Sequence, residues 1–223
     1  MGTYYLIRHG ETESNRSGII QGHLDVPLSP KGLEQAEACA RALAGVTLDA
    51  IYSSDLSRAL DTARAIARHQ KATHTSPIKA DPRLREIHCG LMQGLSLAEC
   101  RLRFPEFFSR WQTDPLGQPR PGGESVVQLY HRVVEVFREI VLAHPEGKVA
   151  VVTHGGVIRC LTAYVQGETV DPWAEVVDNC SITVLEHEGD RLLITRYNDT
   201  SHLPAETRSR PWRISGEDSA VNA

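Results

Sequence analysis

The chain has 223 residues, 41% of them hydrophobic, and a formal net charge of −4 at pH 7. Such a chain is long enough to fold as one α/β domain with a sizeable core, and its negative charge argues against a nucleic-acid partner. No apolar run approaches the roughly 20 residues needed to span a bilayer, and no signal-peptide pattern opens the chain. We therefore expect a cytoplasmic protein without membrane or nucleic-acid partners.

The five cysteines are dispersed along the chain, and none belongs to a C-x-x-C pair. Dispersed cysteines in an odd number favour reduced, buried thiols over disulfides or a zinc site. The sequence shows no other metal-binding motif either, and we expect no metal ion or cofactor.

Apolar runs rich in β-formers predict strands, and helical spacing combined with N-capping residues predicts helices. In chain order these elements are a strand at 4–7, a helix from Ser29 to about Gly45, a strand at 50–53, a helix capped by Ser54 or Asp55, helices opening at Ser96 and Ser125, a strand at 149–153, a helix continuing through Cys160, and strands at 180–185 and 192–197.

The alternation of strands and helices predicts an α/β fold, with a mostly parallel central sheet flanked by helices on both faces. The absence of repeats and long linkers indicates a single domain over residues 1–203. Residues 96–121 carry aromatic side chains in helical segments interrupted at Pro105, and we expect them to form a helical lid over the substrate. Most of these aromatics are expected to pack on the sheet. Residues 204–223 are predicted to be a polar C-terminal tail.

Two strands of this sheet end in a histidine followed by glycine. The first is Leu6-Ile7-Arg8-His9-Gly10 and the second is Val152-Thr153-His154-Gly155-Gly156. A single histidine at a strand end is commonly a hydrogen-bonded structural residue. Ligands of open α/β sheets, however, bind beyond the carboxyl ends of the strands, and a matching pair of histidines there favours a shared site.

Two arginines and one glutamate are further candidates for a functional role. Arg8 directly precedes His9, and Arg58 lies early in the helix after the second strand. Guanidinium groups suit phosphate oxygens, although a surface ion pair is the ordinary role of any one arginine. Glu86 lies in a short extended stretch between apolar residues, where its pattern alone favours a structural role.

The motifs form an ordered set along the chain. They are Arg8-His9-Gly10-Glu11-Thr12 with Asn15, Gln21-Gly22-His23-Leu24-Asp25, Ser53-Ser54-Asp55-Leu56-Ser57-Arg58-Ala59, Leu84-Arg85-Glu86, Gly122-Gly123-Glu124-Ser125 and Thr153-His154-Gly155-Gly156. This set resembles the histidine phosphatase superfamily, which is also called phosphoglycerate mutase-like, over roughly residues 4–165. The resemblance implies that superfamily's α/β fold.

The resemblance implies that His9 is a nucleophile that becomes phosphorylated. Arg8, Arg58 and His154 are implied to hold the phosphoryl oxygens. Glu86 is implied to protonate the leaving alcohol and afterwards to activate water. Imidazole is nucleophilic only when neutral, so the arginines are expected to keep His9 unprotonated, and its other ring nitrogen needs an acceptor such as a backbone carbonyl.

Four further residues are assigned to phosphate or substrate binding by the same motifs: Asn15, Gln21, Gly22 and Gly155. Asn15 and Gln21 are implied as hydrogen-bond donors in the pocket. Cys89 stands where relatives often have an aromatic residue, so the shape of the pocket is expected to differ there.

Three functions compete for this motif set. A phosphomonoesterase acting on small phosphorylated metabolites is favoured, because the segment between Gly94 and Pro121 is compact and the loop at residues 21–25 resembles the phosphatase branch. A cofactor-dependent phosphoglycerate mutase is the alternative. A catalytically silent relative that binds phosphate esters or protein partners is disfavoured, because the five implied catalytic residues are all present. The expected oligomeric state is a monomer or a homodimer.

Overall fold

A computed structural model describes residues 1–70, 77–167, 176–188 and 191–207. The strands in these ranges are β1 (Thr3–Arg8), β2 (Ala50–Ser53), β3 (Lys79–Ala80), β4 (Lys148–Thr153), β5 (Ile182–Glu188) and β6 (Arg191–Asp199). The α-helices are α1 (Glu13–Arg16), α2 (Pro30–Leu43), α3 (Ser57–Arg68), α4 (Leu97–Arg103), α5 (Pro105–Thr113), α6 (Val126–Ala143) and α7 (Gly155–Gln166).

The six strands form one sheet in the order β3-β2-β4-β1-β5-β6. The first four in this order run parallel, whereas β5 lies antiparallel to β1, and β6 lies antiparallel to β5. The mostly parallel sheet confirms the predicted fold class. The parallel pairing of β1 with β4 brings their carboxyl ends to the same edge of the sheet.

Helices cover both faces of the sheet. Alternate side chains of each strand point to opposite faces, so the apolar strands present hydrophobic side chains on both sides. One core joins α6 and α7 to a row of strand residues made of Tyr4, Leu6, Val149 and Val151. The other core joins α2 and α3 to the opposite row, made of Ile7, Ile51, Ala150 and Val152. Burial on both faces explains why β1 and β4 read as continuous apolar runs.

Helix boundaries follow the predicted caps at three places. Ser29, Ser96 and Ser125 each cap a helix by accepting a hydrogen bond from the backbone of the third helical residue. The predicted lid consists of α4 and α5, separated at Phe104, with Pro105 at the first position of α5. Proline is favoured at that position because its missing N–H would have no partner inside the helix.

Two details of the predicted elements are wrong. Neither Ser54 nor Asp55 caps α3, because the helix begins one or two residues later than predicted and Leu56 occupies the N-cap position without a side-chain bond. The short strand β3 was not predicted, since its two residues carry no apolar pattern. Of the predicted tail, residues 208–223 lie outside the described residues, and the domain boundary at residue 203 stays a prediction.

Candidate active site

The two strand-end histidines meet at the carboxyl edge of the sheet. Arg8 of β1 pairs in register with Thr153 of β4, so His9 and His154 follow at equivalent positions. Their ring centroids lie 5.0 Å apart, and both side chains are buried. The structure therefore brings the two strand-end histidines together, as the sequence analysis expected.

The ring of His9 is fixed in one orientation by its own backbone. Its Nδ1 lies 2.7 Å from the carbonyl oxygen of Gly10. Because a carbonyl only accepts, Nδ1 must carry the proton, which leaves Nε2 with a free lone pair. Burial, followed by the charges of Arg58 and Arg8, holds the pKa of His9 well below its ordinary value. At neutral pH His9 is therefore a neutral imidazole whose Nε2 carries the free lone pair.

Arg58 is a cation enclosed by the protein. It is 1% exposed, and its two terminal nitrogens donate to the carbonyl oxygens of Leu24, at 2.7 Å, and Gly22, at 2.8 Å. Burial lowers its pKa to about 10, so the guanidinium stays charged at neutral pH. The loop that contains Gly22 therefore holds the guanidinium of Arg58 in place. The contact of Gly22 with the site is its carbonyl oxygen, which accepts from Arg58.

Two buried nitrogens beside His9 lack a hydrogen-bond partner within the described ranges: Nε of Arg58 and Nδ1 of His154. The other ring nitrogen of His154 lies 2.9 Å from the hydroxyl oxygen of Ser54. Buried polar groups are normally paired, so the unpaired N–H of the Arg58 guanidinium beside His9 indicates a place for a bound anion. Arg8 adds a second guanidinium there and donates to the carbonyl oxygen of Val177.

Glu86 lies at the same site, held by two backbone N–H groups. Its Oε1 accepts from the N–H of Ile87 at 2.9 Å, and its Oε2 accepts from the N–H of Gly156 at 3.1 Å. The backbone of Gly156 can approach this closely only without a side chain, because a Cβ there would lie 2.2 Å from Oε1. The second glycine after His154 thus positions the carboxyl of Glu86.

This contact gives a matched pair of variants. Gly156→Ala is expected to displace the carboxyl of Glu86 and to lower kcat by about 100-fold, the effect of a misplacement of roughly 1 Å. Gly155→Ala is expected to have a clearly smaller effect, because its methyl group would meet Arg8 at 3.7 Å, an ordinary contact distance. Steady-state kinetics of both variants test this, and equal losses would contradict the positioning role of Gly156.

The predicted pocket amides follow His9 in the chain, Asn15 within α1 and Gln21 in the loop after that helix. The Oδ1 of Asn15 accepts from the backbone N–H of Thr12 at 3.1 Å, as part of the capping box of α1. The Oε1 of Gln21 lies 3.0 Å from the Thr12 hydroxyl. Both side chains line the cleft described below, whereas their predicted role as donors to the substrate stays a prediction.

Two residues with contacts to the site were not assigned to it from the sequence. Ser54, considered only as a helix cap, contacts His154 instead. The Nδ2 of Asn179 donates to the carbonyl oxygen of His9 at 3.0 Å and contacts the Oδ1 of Asn15 at 3.4 Å. The strand-end pattern that revealed the histidines would also have found Ser54, since it directly follows β2.

The site opens into a cleft of about 1070 Å³, much larger than a phosphate ion. The predicted lid forms part of its wall through Leu97, Phe107, Phe108 and Trp111. Phe107 is at the same time buried in the core of α6 and α7, as expected for an aromatic that packs on the sheet. The cleft therefore has room for a substrate with a sizeable alcohol portion.

The sequence profile of the histidine phosphatase superfamily, branch 1, matches residues 4–200 of this chain. The chain belongs to the histidine phosphatase superfamily. It is similar to phosphoserine phosphatase 1 of Hydrogenobacter thermophilus, with 37% identity over 89% of this chain and 92% of that protein. It is also 39% identical to glucosyl-3-phosphoglycerate phosphatase of Mycolicibacterium vanbaalenii, over 75% and 76% of the two chains.

Solved structures of histidine phosphatases share this fold. The structure of YhfR from Bacillus stearothermophilus has a TM-score of 0.82 and 34% identity, covering 91% of this chain and 99% of that one. Within the described residues, no group of three or more His, Cys, Asp or Glu side chains is placed to hold a metal ion. None of the described helices combines the length and apolarity that crossing a bilayer requires.

Proposed function

We propose that this histidine phosphatase hydrolyses small phosphate monoesters through a covalent phosphohistidine on His9. The observation that carries the proposal is the neutral imidazole of His9 beside two unpartnered buried nitrogens, Nε of Arg58 and Nδ1 of His154. A nucleophile next to the unpaired N–H of a buried guanidinium matches the needs of phosphoryl transfer, in which negative charge must be stabilised on three oxygens.

In the first step, Nε2 of His9 attacks phosphorus, and the bond between phosphorus and the ester oxygen breaks. The electron pair stays on the leaving oxygen, which takes a proton from the carboxyl of Glu86. Arg8, Arg58 and His154 hold the phosphoryl oxygens during the transfer. Because these groups are fixed before the substrate arrives, they stabilise the developing charge without reorganisation.

In the second step, the carboxylate of Glu86 takes a proton from water, and the water oxygen attacks the phosphorus of phosphohistidine. The bond between phosphorus and nitrogen breaks, inorganic phosphate leaves, and His9 returns to its neutral form. The arginines carry the positive charge that a metal ion supplies in many other phosphoryl-transfer enzymes. The proposed reaction therefore needs no metal ion.

A direct assay separates the competing functions. Purified protein is incubated with p-nitrophenyl phosphate and then with 3-phosphoglycerate, in each case with EDTA present. Release of inorganic phosphate from both supports the phosphomonoesterase. Conversion of 3-phosphoglycerate into 2-phosphoglycerate without phosphate release would indicate a mutase, and no reaction with either ester would indicate a silent relative.

The low pKa of His9 determines the acid limb of the pH profile. Only the neutral imidazole reacts, and a pKa well below 6.5 keeps it neutral at lower pH, so the limb of kcat/KM due to His9 should lie well below pH 6.5. Arg58→Gln removes a neighbouring charge, which should raise that pKa and move the limb to higher pH. Arg58→Lys retains the charge and should leave the limb in place despite lower activity. The pH profiles of kcat/KM are measured and corrected for ionisation of the substrate. A wild-type acid limb above pH 6.5, or acid limbs at the same pH in both variants, would contradict this assignment.

A further inference from the structure

The backbone around Glu86 lies outside the strands and α-helices of the fold. Residues 85–88 follow a short 3₁₀ turn, Pro82–Leu84, and have no regular structure of their own. Backbone carbonyls that no helix or strand pairs need donors from elsewhere when they are shielded from water. At Leu84 the donor is a side chain, since its carbonyl oxygen accepts from the hydroxyl of Thr153 at 2.7 Å.

One side chain of α6, Arg132, supplies donors to three more of these carbonyls. Its Nη1 donates to the carbonyl oxygens of Arg83, at 2.7 Å, and Arg85, at 3.0 Å. Its Nη2 donates to the carbonyl oxygen of Glu86 at 3.3 Å. A single guanidinium therefore holds the backbone that leads into Glu86 and the backbone of Glu86 itself.

Arg132 is in turn fixed by Glu124, which belongs to the motif at residues 122–125. Its Nε and Nη2 donate to the two carboxylate oxygens of Glu124 at 2.9 Å and 2.7 Å, a bidentate pair. Glu124 also accepts from the N–H of His88 at 2.8 Å and donates its own N–H to the carbonyl oxygen of His88 at 2.8 Å. The pair therefore contacts the backbone on both sides of Glu86.

The surroundings of this pair favour a fixed geometry. The side chains of Arg132 and Glu124 are only 18% and 22% exposed. The neighbouring residues Leu129 and Val133 of α6 are buried in the core, so the helix that carries Arg132 is anchored to the sheet. Bidentate pairs on well-packed elements hold their partners more precisely than single contacts on loops do.

A second donor to the carbonyl of Glu86 comes from the loop that holds Arg58. The Nε2 of His23 lies 2.8 Å from this carbonyl oxygen, so Nε2 carries the proton. His23 contributes this one bond to the segment, whereas Arg132 contributes three. We therefore expect Arg132 to have the larger influence on where the segment lies.

The position of this backbone determines the position of the Glu86 carboxyl. The carboxyl accepts from the N–H of Ile87 and from the N–H of Gly156. Ile87 lies between Glu86 and His88, the two residues whose backbone Arg132 and Glu124 contact. A shift of the segment would therefore move the Ile87 N–H and the carboxyl together, away from the leaving oxygen.

We propose that Arg132, anchored by Glu124, is a positioning residue for proton transfer by Glu86. The inference rests on the proposed phosphomonoesterase function, in which Glu86 protonates the leaving oxygen, and it assigns no contact with the substrate to Arg132. Proton transfer requires hydrogen-bond distance between the acid and the leaving oxygen, and a misplacement of about 1 Å can cost about 100-fold in rate.

The test uses two aryl esters that differ only in the leaving group. Phenolate is more basic than nitrophenolate, so cleavage of phenyl phosphate depends more on a proton donor than cleavage of p-nitrophenyl phosphate does. Arg132→Lys keeps a cation beside Glu124 but lacks the planar fork that spans the carbonyls. It should lower kcat/KM for phenyl phosphate by about 10- to 100-fold, and for p-nitrophenyl phosphate by no more than about 3-fold.

The same substitution in the Glu86→Gln protein tests whether the effect passes through Glu86. That protein has no acid to misplace, so Arg132→Lys should change its kcat/KM for phenyl phosphate by no more than about 3-fold. Glu124→Gln retains Arg132 but weakens its anchor, and it should shift the ratio of the two esters in the same direction by a smaller factor. Circular dichroism checks the fold, and if Arg132→Lys does not fold, Glu124→Gln is judged by the same comparison.

Arg138 provides the matched control, because it is exposed on the same helix and does not line the cleft. Arg138→Lys should leave kcat/KM for both esters unchanged. Equal slowing of the two esters by a folded Arg132→Lys protein, an equally large loss in the Glu86→Gln background, or no loss at all would overturn the positioning role. If the wild-type protein hydrolyses neither ester, it is the proposed function that fails, whatever the variants show.

Discussion

Replacement of His9 by alanine is expected to lower kcat for every phosphate ester by about 10⁴-fold or more, because the variant has no atom that can accept the phosphoryl group. The fold should persist, since His9 contributes its ring to the cleft wall and makes its one side-chain hydrogen bond, among those described, to the adjacent Gly10. Steady-state kinetics with p-nitrophenyl phosphate measure the loss, and circular dichroism checks the fold.

A second histidine variant controls for nonspecific effects. His131 lies exposed on α6, outside the cleft, and contacts the ring of Tyr130. His131→Ala should therefore keep wild-type activity. Substantial turnover by a folded His9→Ala protein would show that another group, or water itself, attacks the phosphate, and the nucleophile assignment would be wrong.

Replacement of Glu86 by glutamine is expected to produce a loss that depends on the leaving group. An alkoxide needs a proton as it leaves, so hydrolysis of alkyl phosphates should slow by about 10²- to 10⁴-fold, the range for general acid catalysis. Nitrophenolate leaves without a proton, and its ester should be affected much less. The ratio of the two rates is the diagnostic quantity.

This ratio separates acid catalysis from mere positioning. Glutamine can accept only one of the two backbone hydrogen bonds that Glu86 receives from Ile87 and Gly156, so some displacement is expected. Displacement alone would slow both esters alike, because it is independent of the leaving group. Equal slowing in Glu86→Gln would therefore refute the role of Glu86 as proton donor.

The strand-end histidines were predictable because their signal is local and repeated. An apolar run followed by His-Gly occurs twice, and the rules for parallel sheets bring such ends to one edge. The register of β1 with β4 then places His9 and His154 together without any long-range information. The acceptor for Nδ1 of His9 was also anticipated as a backbone carbonyl, and Gly10 provides it.

The residues missed from the sequence depend on tertiary contacts. Ser54 directly follows β2, so the strand-end pattern could have placed it at this edge of the sheet, but its contact with His154 follows from the packing of β2 beside β4. Asn179 reaches the backbone of His9 because β5 runs antiparallel to β1 and therefore starts at the catalytic edge.

The phosphorylated intermediate is the central claim, and rapid-quench labelling tests it most directly. The enzyme is mixed with a ³²P-labelled ester, quenched in alkali within milliseconds and digested, and the labelled peptide is sequenced. The account predicts an acid-labile, alkali-stable phosphoryl group on His9. Turnover with no label in any peptide, or with label on a residue other than His9, would contradict it.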